Sequence, residues 1–514
     1  MQTQLETQKN GVYGYIAGNI TETGKNPVRV LGGFALAWIL FFLINFVIPA
    51  PEGLSREGMA VLGIVVWASI MWVSEAMPVG ITGISIPLLL IMTQAIAWTD
   101  GKPPMGTVFG GFTTHEVWLC LFAFFVGAVM VLLRLDRRIA LSILDKMKAS
   151  SVGRIIWGMF FVNIVTAFLI PAANARAATL LPVVKGITNL LGDTPEEQEA
   201  KKAIVIQSLV YGTMICGVFI MTAHMPNMIM VNMFGQDGYN IGYLQWALLQ
   251  FPYLGMFVLT QWWIRHHFKT ARVNIAGGHQ MIHDMHKELG PMTMAEKVLL
   301  LLFGLIALLF MMGNGSFIYQ LHTYQLGVIG LVGILLLFTP GLFPFKWKEI
   351  QDRTIWGTFL LLGGAITLTA AMTQSGLAGW FADGIAGIVQ DRNWWAALLI
   401  LMVGTHLIRI GMLSNVAAVA MLAPIVYAMA PKLGLHPVAF TLLVCDTDTF
   451  AYLLPTQITA AVIAHGTGVF NTSDYAKAGW VAILIAIAYG ILIMAPWYAL
   501  LGIPVWDPNA AWPF

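Results

Sequence analysis

Long apolar stretches recur from residue 30 almost to the C-terminus, separated by short polar or charged loops. About 20 apolar residues cross the roughly 30 Å of bilayer hydrocarbon, where only an α helix or a closed barrel pairs all its backbone groups. Charged residues make up 10% of the 514 residues, against about 25% in an average soluble domain. The pattern predicts an all-α polytopic membrane protein. It excludes an ordinary soluble enzyme, a disordered protein and a nucleic-acid binder that uses a basic face.

The limits of the apolar stretches predict the spans. We predict eleven transmembrane spans, at about 30–49, 58–77, 79–98, 115–133, 203–235, 241–264, 298–313, 323–339, 355–374, 435–469 and 478–502. Two further apolar regions, 155–190 and 393–431, are interrupted by the stretches PAANARA and MLSNVA. Each is predicted to be a re-entrant hairpin, because non-helical backbone at membrane depth is tolerated only where it lines protein or a watery cavity.

Basic residues predict the orientation, because they concentrate in cytoplasmic loops. With the N-terminus inside and one hairpin opening to each side, inner segments hold 21 of the 27 Lys and Arg residues. Arg176 and Arg409 then remain at membrane depth. The polar residues 1–29 lack the pattern of a signal peptide and are predicted to be a cytoplasmic tail. We expect a protein of the inner (cytoplasmic) membrane with its N-terminus in the cytoplasm and its C-terminus outside.

The two interrupted regions have similar sequences, IPAANARAATLLP and MLSNVAAVAMLAP. Their opposite orientations predict an inverted-topology repeat, and paired interruptions are the best sequence indication of a transporter's substrate site. Helix N-termini that point into such a site favour an anionic substrate. The predicted parts are the scaffold spans (30–134), a first transport part (152–235), and spans six to nine with a cytoplasmic loop at 265–297 (236–374). A second transport part (393–469) and a last span (478–502) follow.

An ordered set of stretches between about residues 65 and 500 carries a family resemblance: WVSEAMPVGITGISIPLLL, MTAHMPNMIM, WGTFLLLGGAITLTAAMTQSGLAGW, LSNVAAVAMLAPI and LLPTQITAAVIAHGTG. The chain resembles the divalent anion:sodium symporter family. The resemblance implies a secondary transporter of di- or tricarboxylate-type anions, in which the transport domain moves like an elevator against the scaffold. It also implies a homodimer in lipid with a small organic anion as substrate. No resident cofactor and no nucleic-acid partner is expected.

The family carries Ser-Asn-Thr at each hairpin tip, and the resemblance places substrate-binding residues there: Ala172, Ala173, Asn174, Ser414, Asn415 and Val416. The second tip keeps the first two residues of the signature and has valine for threonine, whereas the first tip departs further. The alignment of the first tip matches Pro182 with Pro424. An alignment on Asn174 as the family asparagine shifts the motif by one residue.

The proline alignment also puts Arg176 where the exchanger branch of the family carries arginine. A fixed guanidinium there would replace Na⁺ and repel it by several kcal/mol at an effective dielectric near 20, and it would suit a carboxylate. The resemblance therefore favours sodium-independent exchange. The alternatives are a Na⁺ or H⁺ symporter, with Na⁺ held at the tips, and a structural arginine that pairs with Asp446 or Asp448.

The two broken spans supply further candidates. The family pattern Gly-Thr-Pro-Pro-Asn corresponds here to residues 223–227, preceded by Thr222, and gives the candidates Thr222, His224, Pro226 and Asn227. In the second half the family's Thr-Pro-Pro-Asn is not preserved, and the candidates Thr456, Gln457 and Thr459 occupy its position. His224 is a candidate to donate to a substrate carboxylate or to carry a proton. The alternative is a core histidine that is simply hydrogen-bonded.

Other ionisable residues at membrane depth are default candidates for function. The candidates for coupling are Arg176, His224, Asp446 and Asp448. The two aspartates, two residues apart, face different directions on a helix, so one can pair with an arginine while the other carries a proton. His406 and Arg409 share a helix face and are candidates to line an outer vestibule. For Asp446, Asp448, His406 and Arg409, the alternative is that they form purely structural ion pairs.

The loop 265–297 places His279, His283 and His286 on one helical face, an arrangement able to bind a metal. Nothing else in the sequence supports a metal site there, and the stretch resembles the family's amphipathic interfacial helix. The competing classes are a membrane enzyme, for which no nucleophile–base or zinc signature occurs, and a channel, which needs no inverted pair of broken helices. The sequence contains no GxxxxGK[ST] phosphate loop, so we do not expect an ATP-driven pump in one chain.

Overall fold

The structure is a computed structural model, and it describes residues 11–98, 100–170, 172–270, 273–275, 277–312, 326–389, 392–412 and 414–514. These residues form α helices joined by short turns and by 3₁₀ and π segments. Within these ranges the β-type pairing is an isolated antiparallel bridge between Ser151 and Asn274, and no strand is formed. The all-α prediction is confirmed.

The α helices of the first half, up to the loop after residue 267, begin and end as follows: Gly11–Glu22, Pro27–Phe42, Arg56–Ser74, Val79–Met92, Met105–Val108, His115–Leu132, Leu135–Lys146, Val152–Leu169, Ala173–Thr188, Pro195–Val205, Gly212–Phe219, Met225–Gln236, Tyr243–Gln250 and Tyr253–His267. Those of the remainder are Gly278–Glu288, Met294–Met312, Leu326–Leu337, Trp347–Gln351, Trp356–Gln374, Leu377–Val389, Trp394–Arg409, Asn415–Met429, Pro437–Thr449, Thr459–His465, Thr472–Tyr489 and Ala495–Leu500.

Eight helical segments in the described ranges are long and apolar enough to cross a membrane: Pro27–Val47, Arg56–Ser74, His115–Leu132, Val152–Leu169, Pro195–Phe219, Trp356–Gln374, Asn415–Leu433 and Thr472–Leu500. Four shorter apolar helices accompany them, Val79–Met92, Gly327–Leu337, Leu377–Val389 and Trp394–Arg409. The architecture is that of a multi-pass membrane protein. The number of eleven spans and the re-entrant course of the two interrupted regions stay predictions.

Several segments predicted to be tail or loop are helices. They include Gly11–Glu22, Leu135–Lys146, Leu377–Val389 and, in the loop before span five, Pro195–Val205. In the last of these, a capping box explains the start: Thr194 Oγ1 accepts from the Glu197 backbone, and the Glu197 carboxylate accepts from the Thr194 backbone. Residues 1–10 of the predicted tail and the start of the span predicted at 323–339 lie outside the described residues.

The chain divides into two compact units. The first comprises residues 1–112 and 356–381. In it, the helices Val79–Met92 and Trp356–Gln374 pack so closely that a Cβ on Gly80 would lie 2.6 Å from the Gly357 oxygen, and one on Gly83 would lie 2.7 Å from the Leu360 oxygen. Small residues that let two backbones meet are typical of helix packing in membranes.

The second unit comprises residues 113–355 and 382–514, and it contains all the predicted site residues. We name the first tip (residues 170 and 172–174) and the second tip (412 and 414–416), and the first break (220–224) and second break (450–458). Each helix that follows a tip packs against the helix that follows the break of the other half: Ala173–Thr188 against Thr459–His465, and Asn415–Met429 against Met225–Gln236. This exchange brings the tips and breaks of both halves together.

Candidate functional site

The two tips have the same backbone plan. Ala172 and Ser414 are the N-cap residues of the helices that follow, with φ/ψ of −117°/126° and −137°/125°. Both lie the same distance before the prolines Pro182 and Pro424, so the caps agree with the proline alignment. Ser414 Oγ accepts a hydrogen bond from the backbone N–H of Ala417 at 3.4 Å, whereas the methyl group of Ala172 cannot do so.

The two breaks also match each other. A 3₁₀ turn, Met221–Ala223 in the first and Pro455–Gln457 in the second, is followed by one extended residue and then by an α helix. The extended residues are His224, with φ/ψ of −147°/122°, and Ile458, with −136°/135°. His224 and Ile458 are therefore structural equivalents, and the ionisable ring occurs in the first half.

Arg176 holds the first tip to the first break. Its side chain is fully buried, and it donates from Nη1 to the carbonyls of Ile170 (2.8 Å) and Ala223 (2.7 Å) and from Nη2 to that of Thr213 (2.9 Å). It forms no ion pair with an acid in the described part of the chain, so the alternative that it pairs with Asp446 or Asp448 is wrong. Where a helix is interrupted, some backbone carbonyls lack an N–H partner, and the guanidinium supplies hydrogen-bond donors to them.

Arg409 holds the second tip to the second break. It donates from Nη1 to the Met412 carbonyl at 3.0 Å and from Nη2 to the Gln457 carbonyl at 3.1 Å and to Asn415 Oδ1. Its Nε lies 3.4 Å from a carboxylate oxygen of Asp448. Because Arg409 is fully buried and His406 is 8% exposed, neither candidate lines an accessible outer vestibule in this structure, and the structural alternative, an ion pair, is found for Arg409. His406 Nδ1 donates instead to the carbonyl of Met402, at 2.8 Å.

The acceptors of the two arginines correspond. Ile170 and Met412 each lie two residues before the N-cap of a tip, and Ala223 and Gln457 each end the 3₁₀ turn of a break. Each half therefore presents one carbonyl from the tip and one from the break to a single guanidinium. The arginine comes from the helix after the tip in the first half and from the helix before the tip in the second.

Asn415 joins the two halves. Its Oδ1 accepts from Arg409, and its Nδ2 donates to His224 Nε2 at 3.1 Å and more weakly to the Thr449 carbonyl at 3.4 Å. His224 is 5% exposed, and its Nδ1 has no hydrogen-bond partner among the described residues. A single amide thus connects an arginine of the second half to the histidine of the first break.

The two aspartates have different surroundings, as their spacing predicts. Asp448 pairs with Arg409. Asp446 accepts at 2.7 Å from Gln250 Nε2, and Gln250 Oε1 accepts in turn from the Tyr498 hydroxyl at 3.3 Å. Sequence reasoning missed Gln250 and Tyr498. A buried glutamine in the apolar stretch before Pro252 was the available signal, since such a side chain needs a polar partner.

The remaining candidates separate into enclosed and accessible residues. Thr222 bonds to the Tyr243 hydroxyl at 3.2 Å, and Asn227 donates to the carbonyls that end the preceding helix. Gln457 accepts from the backbone of Leu453 and Leu454. Pro226, Ala172 and Ala173 are also buried. The accessible candidates are Asn174, Ser414, Asn415 and Val416, which are half-buried, and Thr456 and Thr459, which are exposed.

The histidine-rich loop forms a different site. His279, His283 and His286 share a face of the helix Gly278–Glu288, and all three lie 3.0–3.3 Å from the carboxylate of Asp145. Burial alone would raise the pKa of Asp145, but the hydrogen bonds from His286 and His283 outweigh it and hold that pKa below its ordinary value. Within the described ranges, no group of three or more such side chains is arranged to hold a metal, so the metal hypothesis gains no support.

Comparisons with known proteins agree with this architecture. A Cupriavidus necator protein described as a membrane protein is 29% identical over 91% of this chain and 93% of its own length. The sodium-dependent dicarboxylate transporter SdcS of Staphylococcus saprophyticus is 26% identical over 95% of this chain and 96% of its own.

The solved structure of Neisseria gonorrhoeae MtrF, described as illuminating a class of antimetabolite efflux pumps, aligns with a TM-score of 0.54 at 12% identity. The alignment covers 94% of this chain and 96% of that one, and it indicates a shared fold. The family described as the sodium:sulfate symporter transmembrane region matches residues 34–504. The chain therefore belongs to the sodium:sulfate symporter family of membrane transporters.

Proposed function

We propose that the chain is a secondary transporter that carries a dicarboxylate-type anion together with a cation. The observation that carries the proposal is the accessible polar second tip, formed by the half-buried Ser414 and Asn415, where Asn415 bonds to Arg409 and to His224 of the first break. The buried guanidinium of Arg409 and the N–H and O–H groups of this tip are donors of the kind that suit a carboxylate. The relatives named sodium-dependent dicarboxylate transporters support the same substrate class and make sodium the first cation to test.

Sodium-independent exchange, which the sequence analysis favours, gains no support from these relatives. Obligatory exchange requires that the empty carrier cross the membrane poorly, as a carrier with a bare buried arginine would. Arg176 is already bonded to three carbonyls and is not bare. Exchange nevertheless remains the second candidate. Arg176 occupies three carbonyl oxygens that could bind Na⁺ if the guanidinium were absent.

The movement that we propose is that of an elevator. The two tips, the two breaks and the helices that follow them would move as one body, because the helices after the tips pack on those of the opposite half. We further propose that the protein is a homodimer of the inner membrane, with its N-terminus inside and C-terminus outside, and that it catalyses no covalent reaction. The asymmetry of basic residues supports this orientation.

Uptake of labelled succinate into proteoliposomes tests the proposal. Empty vesicles should accumulate succinate when an inward Na⁺ or H⁺ gradient is imposed, and should not do so without one. If uptake instead requires vesicles preloaded with dicarboxylate and ignores both gradients, exchange is the function. If neither succinate nor any other dicarboxylate enters under any of these conditions, the proposed substrate class is wrong.

A further inference from the structure

The amide of Asn415 has a fixed orientation. The Arg409 guanidinium can only donate hydrogen bonds, so the oxygen of the amide must face it, as observed. The nitrogen then faces His224, and Nε2 of the ring must act as an acceptor at 3.1 Å. In this arrangement the single ring proton of His224 is on Nδ1, which lies in the same helical turn as the unpartnered Oδ1 of Asn227.

A second proton on His224 is incompatible with this bridge. It would convert Nε2 from an acceptor into a donor, so that two donors would face each other. Rotating the amide by half a turn would satisfy His224 but would point the amide N–H at Arg409. Only one of the two terminal atoms of an amide is an acceptor, so Asn415 cannot turn an oxygen toward both His224 and Arg409. A carboxylate has two oxygens and can do so.

We propose that His224 binds the proton that is transported with the anion, and that this proton and a carboxylate of the substrate together displace the bridge formed by Asn415. The inference rests on the proposed function and names its coupling cation. The carboxylate would accept from His224 Nε2–H and from Arg409 Nη2, and it would take the place of the Asn415 amide oxygen. The proton comes from the aqueous phase and returns to it when the anion leaves.

The charges around His224 make the two binding events cooperative. Arg176 donates to the Ala223 carbonyl, next to His224 in the chain, and Arg409 lies on the other side of Asn415. Of the titratable groups on the neighbouring helices, Asp448 pairs with Arg409, Asp446 bonds to Gln250, and His406 bonds to the Met402 carbonyl. Cys216 and Cys445 are buried thiols. The two guanidinium groups oppose a positive charge on His224, and the negative charge of a bound anion offsets this repulsion. Proton and anion therefore strengthen each other's binding reciprocally.

The test is succinate uptake into vesicles of phosphatidylethanolamine and phosphatidylglycerol, without sodium, with an internal pH of 7.5 and an external pH of either 7.5 or 6. We expect the acidic exterior to stimulate uptake by about tenfold or more. His224→Gln, which keeps a neutral polar side chain, should abolish the stimulation. His465→Gln is the matched control, because His465 is half-buried outside the tips and breaks, and it should retain the stimulation.

Two results would overturn the inference. One is uptake by the unmodified protein that ignores the proton gradient but responds to sodium, which leaves the proposed function intact. The other is a His224→Gln protein that keeps the full pH response. Absence of dicarboxylate uptake under every gradient would instead refute the proposed function.

A second variant provides a readout that does not depend on transport. Asn415→Asp places a carboxylate between His224 and Arg409, and this carboxylate can accept from both when His224 is protonated. The thermal stability of Asn415→Asp in detergent should therefore rise relative to the unmodified protein as the pH falls from 7.5 to 6. An equal pH dependence of both proteins would also contradict the inference.

Discussion

In the first tip the arginine lies in the helix that follows the N-cap Ala172, whereas in the second it lies in the helix that precedes the N-cap Ser414. Arg176 and Arg409 nevertheless donate to corresponding carbonyls, one at the tip and one at the end of the 3₁₀ turn of the break. Interrupting a helix at membrane depth creates acceptors that need donors. The comparison shows that the repeat determines where the acceptors lie and leaves open which helix supplies the donor.

The two arginines differ in the rest of their contacts. Arg176 binds backbone alone, and Arg409 also contacts the carboxylate of Asp448 and the amide of Asn415. The first half thus contains a closed structural bond network. The second half contains a network that reaches across to His224 and remains half-accessible at Asn415.

The largest expected difference between the halves is in stability. Arg409→Met leaves Asp448 buried without its cation and should lower the free energy of unfolding by about 3–5 kcal/mol. Arg176→Met leaves carbonyls without donors but exposes no charge, and should cost about 1–3 kcal/mol. Thermal unfolding of both variants in the same detergent measures the difference, and equal costs would mean that Asp448 carries no charge that depends on Arg409.

The partner of Arg409 provides the control. Arg409→Met combined with Asp448→Leu removes both charges, so the double variant should be more stable than Arg409→Met alone. A double variant that loses the sum of the two single costs would show that the ion pair contributes nothing by itself.

The next difference concerns transport through the tip asparagines. Asn415→Leu removes the bond between the halves and should reduce succinate uptake by about tenfold or more. Asn174, whose Oδ1 accepts from the N–H of the following residue, should matter less, and Asn174→Leu should act mainly on KM. Initial rates over a range of succinate concentrations separate the two effects, and an equal loss in both variants would contradict the asymmetry between the tips.

The smallest expected effect is at the N-caps. Ala172→Ser would supply the cap that Ser414 already provides in the second tip and should stabilise the protein by about 0.5–1 kcal/mol. Ser414→Ala should cost a similar amount. The melting temperatures of these two variants should shift in opposite directions, and shifts of the same sign would show that the two caps are not equivalent.

The sequence predicted those features of the fold that change the local amino-acid composition. Polar and small residues inside apolar stretches located both tips and both breaks, and the match of Pro182 with Pro424 aligned the N-caps correctly. The acceptors of Arg176 could not be predicted in this way, because every residue has a carbonyl and no side chain marks the one that lacks a donor. The same reason explains why Arg409 was assigned to a vestibule.

Some helices were predicted to be loops because their sequences are rich in charged residues. The segment Leu135–Lys146 has basic and acidic residues that suggested a loop, but its buried Leu135, Leu141 and Leu144 follow the spacing of an amphipathic helix. Packing between distant segments, such as Gln250 with Asp446, has no local pattern at all. Such contacts became visible when the fold brought the two spans together.

The close approach of Val79–Met92 and Trp356–Gln374 affects how mutagenesis of this protein should be interpreted. Alanine scanning assumes that alanine is the smaller residue and reports what a removed side chain contributed. At Gly80 and Gly83 alanine is the larger residue, and its methyl group would meet carbonyl oxygens at 2.6 and 2.7 Å. A loss of activity after these substitutions would report separation of two helices in the first unit, and it would say nothing about the residues that bind the anion.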